Sequence, residues 1–225
     1  MSLAQWTVNK STPADIEAGI YTISPIFGTG SLRIKDNAAT KLNMYNTTYT
    51  NGLTRGRMRM LVRIQSQAGI AIYRTGFYFH TNNLNLVTGT PTFYSAHITL
   101  LASTSSRQYQ FGHYANGMGG TETLFYTSPV ITSMTNGVTI LPLEVEWHTE
   151  TELDGVRIII RGDQSGGDTL TDFTNLSTLA TFIISNSLYK ITASSGEGIY
   201  YFGDGSPGGS ELEFDQVSIF SLTPV

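Results

Sequence analysis

The segment Leu141–Arg161, LPLEVEWHTETELDGVRIIIR, constrains the fold more than any other part of the chain. It reads as two strands of alternating polarity joined by a polar turn that ends at Asp154-Gly155. Successive side chains of a strand point to opposite sides, so its apolar residues share one face: Leu143, Val145 and Trp147. The polar residues share the other face: Glu144, Glu146 and His148. The pattern predicts an antiparallel hairpin with one buried face.

The register of this hairpin follows from its turn. With the turn centred near Glu152, His148 falls opposite Arg157 and Glu144 falls opposite Arg161. Cross-strand pairs of opposite charge contribute about 0.2–1 kcal/mol each. The simplest interpretation of the polar row is therefore an exposed structural row, outside the sandwich or at an interface.

The strand period also dominates the rest of the chain, and charged residues make up only 13% of it. The candidate strands are Gln5–Asn9, Gly19–Ser24, Ser31–Lys35, Arg57–Gln65, Ile70–Tyr73, Phe77–His80, Thr92–Ala102, Arg107–Tyr114, Glu122–Tyr126, Val138–His148, Val156–Arg161, Ala180–Ile184, Gly198–Phe202 and Glu211–Ser221. Turn signals separate them at Asn51-Gly52, Asn116-Gly117, Asn136-Gly137 and Asp154-Gly155.

Short strands without alternating helices predict an all-β fold, a two-sheet antiparallel β-sandwich of the jelly-roll type. Its length of 225 residues suits one domain over residues 1–225, because a sandwich of this size is commonly a single unit. One short helical turn is expected within Leu170–Leu179.

Composition excludes several function classes. The net charge of −4 gives no broad basic field, so we expect no binding to nucleic acid. There is no cysteine, which excludes disulfides and thiolate metal sites. The first residues lack an apolar signal region and no run of 18 apolar residues occurs, so we expect neither a secretory signal nor a membrane span.

Three segments resemble the concanavalin A-like lectin/glucanase superfamily, which includes laminin-G-like modules. They are the hairpin LPLEVEWHTETELDGVRIIIRG, the following DTLTDFTNLSTLATF, and the closing ELEFDQVSIFSLTP. Members of that superfamily often end in a strand of the form F-D-x-V-x-[IV], which here is Phe214–Ile219. The resemblance implies a jelly roll and spans about the last 90 residues.

Laminarinase-type members carry a catalytic strand of the form E-[IL]-D-[IFVL]-x-x-E, with carboxylates about 5–5.5 Å apart in a retaining enzyme. On this resemblance the candidate catalytic residues of a hydrolase are Glu144 and Glu146. The last acidic position is occupied by Thr149, and Glu150 follows one residue later, where it faces the opposite side of the strand. We therefore expect no catalytic set and no enzyme activity.

Arginines form a second pattern. Arg55, Arg57, Arg59 and Arg63 share one parity, opposite the apolar residues of the same strand. One interpretation is a binding surface for an anionic partner, either an acidic polysaccharide or a neighbouring subunit. The other is a solvated outer face that prevents unwanted edge pairing.

Aromatic residues suggest a carbohydrate platform, because one face of a pyranose is apolar while its edges carry hydroxyls. The candidates are Tyr78, Tyr94, Tyr109, Tyr114, Tyr200 and Tyr201, and we single out Tyr200 and Tyr201 as ligand-binding residues. The competing interpretation is that these rings pack in the core or across strands.

No cofactor is expected, with one weak candidate for a metal. Carbohydrate-binding relatives place a structural calcium against the Asp of the closing strand, which the resemblance carries to Asp215. The loops Asp163–Asp168 and Asp204-Gly205 lack calcium-loop spacing and suit turns. The four histidines are scattered, with no paired spacing for zinc.

Two functions remain open. The first is a non-enzymatic structural or adhesion protein of a virus particle, a capsid-decoration, tail or fibre component of a bacteriophage. It would assemble in the host cytoplasm, pack on other virion subunits or on copies of itself, and contact host-cell glycans without entering a membrane. The second is a carbohydrate-binding module or an inactive glycoside-hydrolase-like lectin domain. An open groove on one sheet favours the second, and a covered one favours the first.

Overall fold

A computed structural model gives the structure of the protein. It describes residues 6–11, 16–21, 26, 30–36, 41–46, 52–66, 72–101, 106–132, 134–150, 155–163, 173–185, 188–191, 196–204 and 210–222. Within these ranges there is no helix, and every regular element is a β-strand. The all-β prediction is confirmed.

Fourteen strands make up the described structure, numbered in chain order. They are β1 Trp6–Lys10, β2 Ile16–Tyr21, β3 Ser31–Asp36, β4 Lys41–Asn46, β5 Arg55–Ser66, β6 Ile72–Phe79, β7 Phe93–Leu101, β8 Ser106–Ala115, β9 Thr121–Thr127, β10 Ile140–Glu150, β11 Gly155–Gly162, β12 Ser177–Ile184, β13 Gly198–Asp204 and β14 Ser210–Ser221.

Three predictions about these elements were wrong. Strand β4 was missed, because its alternation is carried by only Leu42 and Met44 among polar residues. The two strands predicted on either side of Arg74–Gly76 are one continuous strand, β6, although glycine usually weakens a strand interior. The predicted helical turn is absent from its described part, since residues 173–176 form a bend and a turn and β12 begins at Ser177.

The strands form two antiparallel sheets of seven. Sheet 1 has the order β1-β4-β13-β6-β7-β8-β9, and sheet 2 has the order β12-β11-β10-β5-β14-β3-β2. The closing strand β14 pairs with both β5 and β3, so the end of the chain lies inside sheet 2. The predicted two-sheet antiparallel sandwich is confirmed.

Trp147 is the largest side chain buried between the sheets. It is fully buried on β10 of sheet 2, and its ring stacks on Phe79 of sheet 1 with centroids 4.9 Å apart. Its indole Nε1 donates a hydrogen bond to the carbonyl oxygen of Leu53 at 2.7 Å, which satisfies its only polar group. The ring also lies over Gly56 of β5, where only a glycine leaves room.

The predicted turns are visible where the structure describes them. Asn116 and Gly117 have φ values of 67° and 80°, in the left-handed region that Asn and Gly adopt more readily than other residues. Gly52 and Gly137 also have positive φ values, of 68° and 77°. The turn after β8 continues through residues 118–120, which form one wall of a cleft.

Replacing Gly56 by alanine tests the packing of Trp147. The new Cβ would collide with atoms of the indole ring, which is held on all sides, so we expect a loss of about 1–3 kcal/mol in the free energy of unfolding. Gly19→Ala is the matched control, because a Cβ there meets nothing within 4 Å. Urea denaturation measures both variants, and equal stability of the two would contradict this account.

Candidate functional site

The predicted register of the β10–β11 hairpin is confirmed. His148 lies opposite Arg157, and Glu144 lies opposite Arg161. The three apolar residues of β10 face the core with no exposed surface: Leu143, Val145 and Trp147. The polar row therefore lies on the outer face of sheet 2.

The sequence predicted that this polar row is exposed, but its two glutamates are buried. Glu144 retains 3% and Glu146 retains 8% of their surface. Because β10 is an interior strand of sheet 2, Glu144 lies opposite Arg59 of β5 and Arg161 of β11. Glu146 lies opposite Arg57 of β5. The glutamates are covered by the long side chains of these neighbours.

Ion pairs hold both glutamates. Glu144 accepts hydrogen bonds from Arg59 and Arg161. Glu146 accepts from Arg57 Nη2 at 2.7 Å, from Arg161 Nη1 at 3.2 Å, and lies 2.8 Å from His148 Nε2. Each carboxylate therefore has at least two cationic or hydrogen-bonding partners from neighbouring strands.

These contacts lower the pKa of Glu146. Burial alone would raise its pKa, but the hydrogen bonds from His148, Arg57 and Arg161 outweigh burial and lower the pKa to about 2. A general acid of a glycosidase needs a raised pKa instead. Thr149, at the third acidic position of the laminarinase pattern, donates to the carbonyl of Thr54 at 3.1 Å, and the side chain of Glu150 lies outside the described residues.

The arginine stripe has the predicted geometry, because β5 pairs with β10 without a register shift from Arg55 to Arg63. Its charges are mostly matched within the chain. Arg57 and Arg59 bind the β10 glutamates, and Arg63 binds Glu213 of β14 through Nε at 2.8 Å. Arg59 also lies over the rings of Phe173 and Phe220, with its Cζ 5.4 Å and 5.8 Å from their centroids. The outer face of sheet 2 is a structural ion-pair lattice.

Neither of the two tyrosines singled out from the sequence is an exposed platform. Tyr201 faces the core, where its ring stacks on Tyr73 at 6.2 Å, and it has no exposed surface. Tyr200 points to the outer face of sheet 1 and is also fully buried. The remaining candidates are buried too: Tyr78, Tyr94, Tyr109 and Tyr114.

Tyr200 belongs to a second hydrophobic cluster, on the outer face of sheet 1. We call it the outer cluster, and its members are Tyr78, Leu86, Phe93, Tyr114, Met118 and Tyr200. Part of it comes from two connections that fold back over the sheet and supply Leu86 and Met118. Asn43 of β4 fixes the first of these, because its side chain donates to the Leu84 carbonyl at 2.7 Å and accepts from the Leu86 amide at 3.1 Å.

Beside the outer cluster, the same face opens into a cleft of about 360 Å³. We call it the sheet 1 cleft. Strands β6, β8, β9 and β13 and the turn after β8 line it with Arg74, Tyr114, Met118, Gly119, Gly120, Glu122, Leu124 and Phe202. This volume lies at the lower end of the range for small-ligand sites, about 300–1,000 Å³.

Three polar atoms of the lining residues are buried without a hydrogen-bond partner: Arg74 Nε, the Tyr114 hydroxyl oxygen and Glu122 Oε1. Arg74 Nε lies 3.7 Å from Glu122 Oε2, and His97 Nε2 lies 3.5 Å from Glu122 Oε1. These separations are longer than good hydrogen bonds. Buried polar atoms are nearly always satisfied in native proteins, so these atoms leave hydrogen-bonding capacity unused beside the cleft.

The electrostatics of the cleft differ from those of the sheet 2 lattice. Burial raises the pKa of Glu122, although the positive charge of Arg74 and the hydroxyl of Tyr114 oppose that shift. Burial, helped by the charge of Arg74, lowers the pKa of His97 to about 3, so this imidazole is neutral at physiological pH. The cleft therefore presents one carboxylate with an unsatisfied oxygen beside a guanidinium.

Glycines make room for these side chains. A Cβ at Gly112 would lie 3.1 Å from Glu122 Oε1, and a Cβ at Gly76 would lie 2.7 Å from the Cβ of His97. Glycine inside a strand often marks a place where another group approaches closely. Sequence reasoning missed Arg74, Glu122 and Phe202 as site residues. The glycines inside these strands were the sequence feature that could have indicated a site here.

The structure shows no calcium site at Asp215 among the residues that it describes. This residue lies at a β-bulge before Ser218, where its Oδ1 accepts from the Gln216 amide at 2.7 Å. In the described ranges, no three His, Cys, Asp or Glu side chains come together in a way that could hold a metal ion. Asp168 and the side chain of Asp204 lie outside the description.

No protein-family model matches the sequence, and no curated protein matches it. Solved structures do match. The exoplasmic/lumenal domain of VIP36, in a form bound to Ca²⁺ and Man3GlcNAc, is similar over 100% of this chain and 86% of its own, with a TM-score of 0.56 and 9% identity.

Two further structures are similar at the same level. The Bacteroides ovatus mixed linkage glucan GH16, in complex with a G4G4G3G product, is 9% identical over 98% of this chain and 96% of its own, with a TM-score of 0.60. The metal-free Emp46p carbohydrate recognition domain is 10% identical over 94% and 88%, with a TM-score of 0.51. The chain has the concanavalin A-like jelly-roll fold. At this identity the similarity shows the fold alone.

Among the residues that the structure describes, no helix has the length and apolar character to cross a bilayer.

The buried histidines predict a pH-dependent stability. His80 has its pKa lowered to about 4 and His97 to about 3, mainly by burial, against about 6.5 when unfolded. Between pH 6.5 and 5 the unfolded chain binds more protons, so the free energy of unfolding falls as pH falls, by up to about 1.4 kcal/mol per pH unit for each histidine.

Urea denaturation across this pH window checks the effect. His97→Gln removes one of the two histidines. We therefore expect the slope of the unfolding free energy against pH to decrease by the contribution of one histidine, up to about 1.4 kcal/mol per pH unit. An unchanged slope in this variant would show that His97 titrates normally in the folded protein.

Proposed function

We propose that this protein is a non-catalytic glycan-binding adhesion module and that the sheet 1 cleft is its binding site. The observation that carries the proposal is the pair of buried, unsatisfied polar atoms, Arg74 Nε and Glu122 Oε1, at the wall of a cleft. Concave sites with a few converging polar groups are the usual form of small-ligand sites.

A sugar hydroxyl fits this pair of atoms chemically. A hydroxyl is both donor and acceptor, so one group can donate to the Glu122 carboxylate and accept from the partly exposed Arg74 guanidinium. The 3.7 Å between Arg74 Nε and Glu122 Oε2 is too long for a direct hydrogen bond but leaves the two side chains close enough to share one ligand atom. Leu124, which is 43% exposed, supplies apolar surface for the face of a pyranose.

The jelly-roll fold supports the same conclusion in a general way. Two of the structurally similar proteins hold oligosaccharides, Man3GlcNAc in VIP36 and G4G4G3G in the GH16 protein. The cleft is small, which favours a terminal sugar residue over a long chain passing through.

The absence of catalysis is part of the proposal. Glycosidases of both stereochemical types use two carboxyl groups that flank the scissile bond. Among the described residues that line the sheet 1 cleft, Glu122 is the only carboxylate. Glu144 and Glu146 lie on the other sheet, where arginines bind both.

Binding by a purified chain to a glycan array, followed by calorimetry on the best ligand, tests the site. Glu122→Gln keeps the shape but removes the charge that accepts the sugar hydroxyl, so we expect affinity to decrease about tenfold or more. Glu211→Gln is the matched control, since Glu211 is similarly half-buried on the outer face of sheet 2 and paired with Arg33. We expect it to bind like the wild type.

Each failure has a distinct meaning. Binding that survives Glu122→Gln unchanged would place the glycan elsewhere on the sandwich. No binding to any glycan would refute the function, and hydrolysis of a bound β-glucan would refute its non-catalytic character.

The setting of this module on a virus particle, as a capsid-decoration, tail or fibre component, remains a prediction from composition. An adhesion module of that kind would present the sheet 1 cleft to host-cell glycans and use other surfaces to assemble. Light scattering of the purified chain checks the predicted homo-oligomer, with an expected mass that is a multiple of the chain's own. A monomer at micromolar concentration would contradict self-assembly and leave the glycan site untouched.

A further inference from the structure

Two cations meet on one aromatic ring at the edge of the sheet 1 cleft. Phe202 of β13 lies opposite Lys41 of β4 on one side and opposite Arg74 of β6 on the other. Lys41 Nζ lies 5.8 Å and Arg74 Cζ lies 5.4 Å from the centroid of the Phe202 ring. Strand order therefore places an ammonium and a guanidinium on the same ring.

The charges of this group are only partly balanced. Arg74 has Glu122 at 3.7 Å, whereas Lys41 has no carboxylate within ion-pair distance in the described part of the chain. Two like charges on one ring repel each other, although each is attracted by the ring itself. An anion near both would remove that repulsion.

Lys41 reaches the cleft wall itself. A Cβ added at Gly119, one of the lining residues, would collide with Lys41 Nζ, so the ammonium lies directly against the turn after β8. The lining side chains together with Lys41 thus carry two positive charges and one carboxylate, and His97 beneath them is neutral. This local excess of positive charge occurs on a chain whose net charge is −4.

We propose that the sheet 1 cleft selects glycans that carry a negative charge, a carboxylate or a sulfate ester, on the bound sugar. This inference rests on the proposed glycan-binding function and deepens it. Lys41 and Arg74 bind the anionic group, and Glu122 accepts the hydroxyls of the same sugar. Phe202 holds the two cations in place and does not serve as the sugar platform.

Matched ligands test this directly: lactose, sialyllactose and sulfolactose, and galactose oligomers against galacturonic acid oligomers. We expect the acidic member of at least one pair to bind about tenfold or more tightly than its neutral counterpart at low salt. The preference decreases as salt is raised, because the charges at a partly open cleft are screened. Comparison of the sialyl, uronic and sulfo ligands shows whether the anion is a carboxylate or a sulfate ester.

Lys41→Gln identifies the residue responsible. We expect this variant to lose most of the preference for the acidic ligand while its affinity for the neutral ligand stays within about twofold. Lys35→Gln, on β3 of sheet 2, is the control and keeps the full preference. Thermal unfolding of both variants verifies that neither has lost the fold.

The outcomes separate the two proposals. Equal affinity for acidic and neutral partners would overturn the charge selection and leave glycan binding in place. An acidic preference that persists in Lys41→Gln would overturn the role of the Lys41–Phe202–Arg74 group. Failure of every ligand, acidic and neutral, on this panel and on the array would refute the glycan-binding function itself.

Discussion

The burial of Trp147 between the two sheets is the constraint on which the rest of the structure depends. The ring stacks on Phe79 of sheet 1, and its nitrogen donates a hydrogen bond to the carbonyl oxygen of Leu53. Gly56 leaves room for the ring in sheet 2. A slip of one residue in β10 would expose this ring and bury Glu146 and His148 in its place, at a cost of several kcal/mol. This register places the arginines of β5 and β11 and the buried glutamates of β10 on the outer face of sheet 2.

The two outer faces of the sandwich then differ in how completely their charges are satisfied. On sheet 2, glutamates of β10 and β14 meet arginines of β5 and β11, and the hydrogen bonds among them lower the pKa of Glu146 to about 2. On sheet 1, Arg74 and Glu122 lie close together without a hydrogen bond, beside an open cleft. The sheet 2 carboxylates are bound directly by arginines, although Glu213 Oε1 is also buried without a partner. The Arg74–Glu122 pair makes no direct hydrogen bond and borders an open cleft, which leaves room for a ligand. This difference, and not the number of charges, moves the candidate site from sheet 2 to sheet 1.

Sequence reasoning succeeded where local patterns carried the information. The pairs His148–Arg157 and Glu144–Arg161 followed from alternation and one turn, because neighbouring strands of a hairpin are close in sequence. It failed at the cleft for identifiable reasons. Arg74 lay in the gap between two predicted strands, and Lys41 lay in the one strand that was missed. Exposure of Glu144 was also misjudged, because its second arginine neighbour comes from β5, far away in the chain.

The sequence by itself determined the fold class, the hairpin register and which residues of each strand share a face, because side-chain alternation and turn chemistry are local properties. Only the tertiary structure decided which strands became neighbours. Phe202 meets Lys41 and Arg74 because β13 lies between β4 and β6, and nothing in the spacing of these three residues specifies that order. Burial was likewise a tertiary outcome, since Tyr200 is covered by a hydrophobic cluster whose members come from distant strands and connections. The candidate site therefore emerges from strand order and burial, two quantities that depend on long-range contacts.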